Sequence, residues 1–172
     1  FVGDWIGPFE PGQLILCGPR LPHNWVSMDL PEGGVAERDL VIQFPHDPIE
    51  EASRHIPEMR AVLPLLERAK NGIEFFDVYP QAVQHWRRIK ASQGLARLGA
   101  FCEFLNMLAH CKDYRLLSNA QLQSVDNDAQ LDQINAILSR ITDKLSEDIS
   151  VGMLAQEFGM SESRFSRFFR RA

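Results

Sequence analysis

Apolar residues follow two different rhythms along the chain, and the change from one to the other divides it. Up to about residue 45, short apolar runs (Leu14-Ile15-Leu16-Cys17, Trp25-Val26 and Leu40-Val41-Ile42) are separated by Gly12, Gly18-Pro19, Pro22, Pro31 and Gly33-Gly34. Short runs punctuated by glycine and proline predict strands of an antiparallel sandwich or barrel. From about residue 49 to 112 the period lengthens to three and four. Met59, Val62, Leu63, Leu65 and Leu66 recur between charged residues, and Val83, Trp86 and Ile89 follow Pro80. Leu95, Leu98, Cys102, Leu105 and Ala109 then form a stripe widened by Phe101 and Leu108. That spacing predicts amphipathic helices, with Pro57, Pro64 and Pro80 at first-turn positions where the missing N–H costs nothing. Residues 113–129, with Ser118-Asn119 and the polar run from Ser124 to Asp128, read as linker.

The last stretch, 130–172, returns to helical spacing. Leu131, Ile134, Ile137, Leu138, Ile141 and Leu145 predict one helix. Val151, Leu154, Ala155 and Phe158 predict a second, opened by Ser150 and ended by Gly159, where a left-handed turn suits glycine. Ser161 can cap a third helix that buries Phe165, Phe168 and Phe169 and exposes Ser163, Arg164, Ser166, Arg167, Arg170 and Arg171. Helix, glycine turn and helix at this spacing match a helix-turn-helix, whose second helix enters the DNA major groove. Arginine forks onto guanine, and serine reaches bases or phosphates. The alternative is a solvated arginine-rich helix packed on its own domain.

Charge sharpens this picture. The 172 residues carry net charge −5, yet from Ser161 to Ala172 four arginines face one acid, Glu162. Six basic and six acidic residues balance from Ala129 to the end, so the excess of acid belongs to residues 1–128. Phosphate affinity follows local cations, and a neutral segment predicts weak, salt-sensitive binding. A composition 45% hydrophobic and 24% charged is that of a globular protein. No apolar run is long enough to span a bilayer, so no membrane partner is expected. Cys17, Cys102 and Cys111 lack ligand-like spacing and fit a reducing cytoplasm. The start at Phe1 and the end at Ala172, inside an arginine run, lead to the expectation of a fragment cut at both ends.

The order of segments resembles the AraC/XylS family of bacterial transcription regulators. Two regions carry the resemblance: Phe9-Glu-Pro-Gly-Gln-Leu-Ile-Leu-Cys-Gly-Pro-Arg-Leu-Pro-His-Asn-Trp25, similar to part of the family's cupin sensor domain, and 148–171, similar to the first of its two helix-turn-helix units. The resemblance implies an α+β chain. Residues 1–48 would be the C-terminal part of a cupin-like antiparallel barrel and 49–112 a helical dimerisation region. A linker at 113–129 would lead to a three-helix unit at 130–172 holding the first helix-turn-helix. It also implies promoter DNA, a small effector such as a sugar, and a homodimer as partners. Ser163, Ser166 and Arg167 would face the bases with Arg164 beside them. Arg170 and Arg171 would lie nearer the phosphates, and the amides near Ser161 would hold the backbone. The family's second helix-turn-helix and the first half of its cupin have no counterpart here.

Other chemistry is sparse. His23 lies where metal-binding cupins place a ligand, but no His-x-His occurs, and such a site needs several convergent ligands. The reading favoured over a metal ligand is a structural histidine at a strand end, with an effector-pocket hydrogen-bonding group as the alternative. Trp5 and Trp25 can stack on a sugar face or simply pack. Leu95, Leu98, Cys102 and Leu105 form a seam that suits either an antiparallel dimer or the chain's own core. Asp47, Glu50, Glu51, Arg54 and His55 read as a solvated helix start. No phosphate loop, nucleophile elbow or His-Glu-x-x-His motif is present, so neither catalysis nor a cofactor is expected. A metal-dependent cupin enzyme, or a fragment that dimerises without binding DNA, are the competing readings.

Overall fold

A computed structural model describes residues 1–27, 31–119, 128–143 and 149–171; the side chains of 128–132, 135, 142–143 and 169–171 lie outside that description. The chain is α+β and divides into two compact units, Phe1–Ala120 and Gln121–Ala172.

In the first unit, strand β1 (Leu14–Leu16) is followed by α1 (Asp47–His55), a 3-10 turn (Pro57–Val62) and α2 (Leu63–Ala69). Strand β2 (Ile73–Phe75), α3 (Tyr79–Ala91), α4 (Gly94–His110) and β3 (Tyr114–Leu116) complete it. Pro48, Pro64 and Pro80 each lie in the first turn of a helix, where no intrahelical N–H bond is lost. The strands form an open antiparallel sheet with β2 central. Leu14 lies opposite Phe75 and Leu16 opposite Ile73, while Glu74 is flanked by Ile15 and Arg115. Because side chains alternate along a strand, Ile73 and Phe75 turn to one face and Glu74 to the other.

On the first face Ile73 and Phe75 meet Leu65, Leu66 and Ala69 of α2 and Phe104, Leu105 and Leu108 of α4, all buried. Each large side chain so placed contributes roughly 1.5–3 kcal/mol of transfer free energy. Gly18 brings the end of β1 against the end of α2. Its amide donates to the Ala69 carbonyl at 2.7 Å, and a Cβ at Gly18 would lie 2.7 Å from that backbone. Only a residue without a side chain fits there.

The second unit holds α5 (Asp128–Asp143), α6 (Val151–Glu157) and α7 (Glu162–Arg171). Ile137, Leu154, Ala155, Met160 and Phe165 form its core, with Ile141, Ile149, Phe158 and Phe168 packed around it. Arg140 Nε donates to Glu157 Oε1 at 2.5 Å and ties α5 to α6.

Three expectations need correcting. Of the apolar runs read as strands, only Leu14–Leu16 is paired in the sheet; 25–26 and 40–42 belong to no strand. Ile42 instead packs on the first core, and Val41 is exposed. The other two strands come from stretches read as helix and as linker, β2 from within 49–112 and β3 from within 113–129. Leu117 and Ser118, just beyond β3, are buried as well. These strands are three residues long, too short to display a period, and partners some forty to sixty positions away in sequence supply their ladders. Most of the remaining polar stretch, 120–127, lies outside the described residues.

Candidate functional site

Helices α6 and α7 are joined by a turn that the local sequence specifies closely. Ser150 Oγ accepts from the Met153 amide at 3.2 Å and opens α6. At the other end Met160 N–H bonds Ala155 O at 2.7 Å and Gly159 N–H bonds Gln156 O at 3.1 Å. This paired pattern is a Schellman turn. Gly159 takes the left-handed conformation it requires, at φ 64°. Met160 and Ala155, the two residues that should touch across such a turn, share the unit's core. Ser161 Oγ then accepts from the Arg164 amide at 3.3 Å and opens α7.

The orientation of α7 is fixed by Phe165, buried at 5% exposure, with Phe168 packed beside it. Ser161, Ser163, Arg164 and Arg167 are consequently exposed and Ser166 is half-buried. Arg167 Nε folds back onto Ser163 O at 3.2 Å, which orients its guanidinium along the helix. Among the described residues no acid pairs with Arg164 or Arg167. The side chains of Phe169, Arg170 and Arg171 lie outside the described residues.

The aromatic residues of the first unit do not converge on one site. His23 is exposed, with Nδ1 2.7 Å from Leu21 O and its ring edge-on to Trp25 at 5.2 Å. Trp25 also meets Phe9, whereas Trp5 meets the guanidinium of Arg115 at 5.8 Å. Both His23 and Trp5 bridge to Val2 through the backbone.

The α4 stripe is divided. Leu95 and Leu98 are 85% and 53% exposed, Cys102 is half-buried, and Leu105 is wholly buried in its own unit's core. Leu105 therefore offers no surface to a partner. Phe101 packs edge-on against Phe44, and Arg88 of α3 pairs with Glu103 of α4. The charged residues around α1 stay at the surface, with Glu51 paired to Arg54 and near His55.

One cluster escaped the sequence reading. Glu74 is 2% exposed, and its carboxylate accepts from Gln13 Nε2 at 2.7 Å and from Arg115 Nε at 2.5 Å. An acid inside the apolar triplet Ile-Glu-Phe was the available signal, but its partners lie 61 and 41 positions away. Among the described residues no three His, Cys, Asp or Glu side chains are grouped to hold a metal, and no helix is long and apolar enough to cross a membrane. No family model matches this chain, and neither does any curated protein or solved structure.

Proposed function

We propose that this chain is an effector-responsive, sequence-specific DNA-binding transcription regulator of the AraC/XylS type, acting through α7. The observation that carries the proposal is the rigid corner between α6 and α7. Two serine caps and the Gly159 turn fix its angle, and Phe165 anchors one side of α7 in the core. The opposite side offers Ser163, Arg164 and Arg167. Guanidinium and hydroxyl donors on one exposed helix face suit guanine O6 and N7 and the phosphates of a duplex. On this reading α6 and α7 are a helix-turn-helix and α5 is its support. Ser163, Ser166 and Arg167 face the bases with Arg164 beside them, and the amides near Ser161 hold the backbone.

The first unit is then the sensor, a cupin-like part that takes a small effector, and the protein works in the cytoplasm. A homodimer fits the same reading through Leu95 and Leu98, large apolar side chains left exposed on α4. Selection from a pool of randomised duplexes, using the full chain, tests the proposal. Enrichment of a common motif that the Arg164→Ala, Arg167→Ala double variant fails to enrich is the expected result. Recovery of unrelated sequences by both proteins would overturn it.

A further inference from the structure

The Glu74 cluster has a geometry that core packing alone does not require. Glu74 projects from the face of β2 opposite the helix-backed core, in a row with Ile15 and Arg115. A buried carboxylate is unfavourable unless hydrogen-bonded and charge-compensated. Gln13 satisfies one oxygen and Arg115 the other.

Arg115 satisfies Glu74 with Nε alone. Its side chain stays 53% exposed, and among the described residues Nη1 and Nη2 have no hydrogen-bond partner. The guanidinium carbon lies 5.8 Å from the ring centroids of both Trp5 and Phe76. The result is a planar two-donor edge held by a buried acid and flanked by aromatic rings. Such an edge matches a carboxylate bidentately, and its immobilisation lowers the ordering cost of binding. A polyol suits it less, because hydroxyl donors need acceptors and the Glu74 oxygens are buried and already engaged.

We infer that Arg115, oriented by Glu74, binds the carboxylate of a small organic acid whose planar apolar body packs against Trp5 and Phe76. The inference rests on the sensor reading of the first unit and narrows its effector to an acid.

Isothermal titration of the full chain with cinnamate, and with the uncharged cinnamamide, tests it. Saturable binding of cinnamate alone is expected. Arg115→Lys keeps the charge but loses the fork, and should weaken cinnamate on the order of 10- to 100-fold with an unchanged circular dichroism spectrum. Should Arg115→Lys fail to fold, the Glu74→Gln, Arg115→Gln pair removes the buried charge together with its partner and should abolish binding in a folded protein. Absence of saturable heat with cinnamate, equal affinity for cinnamamide, or undiminished binding by the folded variants would overturn the inference. DNA affinity measured with and without cinnamate separates the two proposals. Cinnamate binding that leaves DNA affinity unchanged retains the acid site and removes the sensor reading.

Discussion

Gly18 and Cys17 lie side by side at the end of β1, and each makes a testable demand on the first unit. A methyl group at Gly18 would meet the Ala69 backbone, which cannot move as a flexible side chain can. Gly18→Ala should cost about 1–3 kcal/mol, read as a lowered urea midpoint with an unchanged slope. Burial pushes the Cys17 thiol from its ordinary 9.0 up to about 12. Well below pH 9 the thiol is protonated in the folded and unfolded chains alike. Between those two values the unfolded chain releases the proton first, so stability falls as pH rises. Urea denaturation at about pH 8 and about pH 10.5 should show that fall in the wild type and a smaller one in Cys17→Ala. An identical fall in both would mean that the thiol is not held protonated. On α7, Arg167→Ala should weaken specific duplex binding by about 1–3 kcal/mol.

At the scale of elements, the α6–α7 corner is where sequence and structure agree most closely. Its signals are local: Ser150, Gly159 and Ser161 each act within three residues, through caps and one left-handed turn. Ser150→Ala should therefore destabilise the second unit by about 1 kcal/mol, visible as a lower helical melting midpoint. Pro57, Pro64 and Pro80 are legible for the same reason and lie in the first turns of the 3-10 helix, α2 and α3, whereas Pro48, which opens α1, stands in a stretch that reads only as a charged helix start. The sheet was not legible. Ile73–Phe75 and Tyr114–Leu116 are defined by partners far away in the chain, and no three-residue window can carry that information. Among candidate site residues, the exposed positions of α7 follow from its phenylalanine spacing. The Gln13, Glu74 and Arg115 cluster depends on the sheet and could not be assembled without it. The α4 stripe shows the other failing: periodicity marks an apolar face but does not say which part faces the chain's own core. Leu105 is in that core and Leu95 is not. A Leu95→Glu, Leu98→Glu variant should remain folded and sediment as a monomer if these two side chains form a dimer seam; unchanged association would exclude them from it.

For the molecule as a whole, charge is unevenly distributed along the chain. The excess of acid lies before residue 129, while the stretch from there to the end is balanced and concentrates its arginines on α7. Under the proposed function such a chain would gain little from long-range attraction to DNA and would depend on contacts made by one helix, so its affinity should be modest and strongly reduced by salt. The most direct test of the proposed function is fluorescence anisotropy of the full chain on its selected duplex and on a scrambled one, across a salt series. Tighter binding to the selected duplex at every salt concentration, with the difference reduced by Arg167→Ala, is predicted. Equal affinity for the two duplexes, unaffected by that substitution, would contradict the assignment of α7 as a DNA-reading helix.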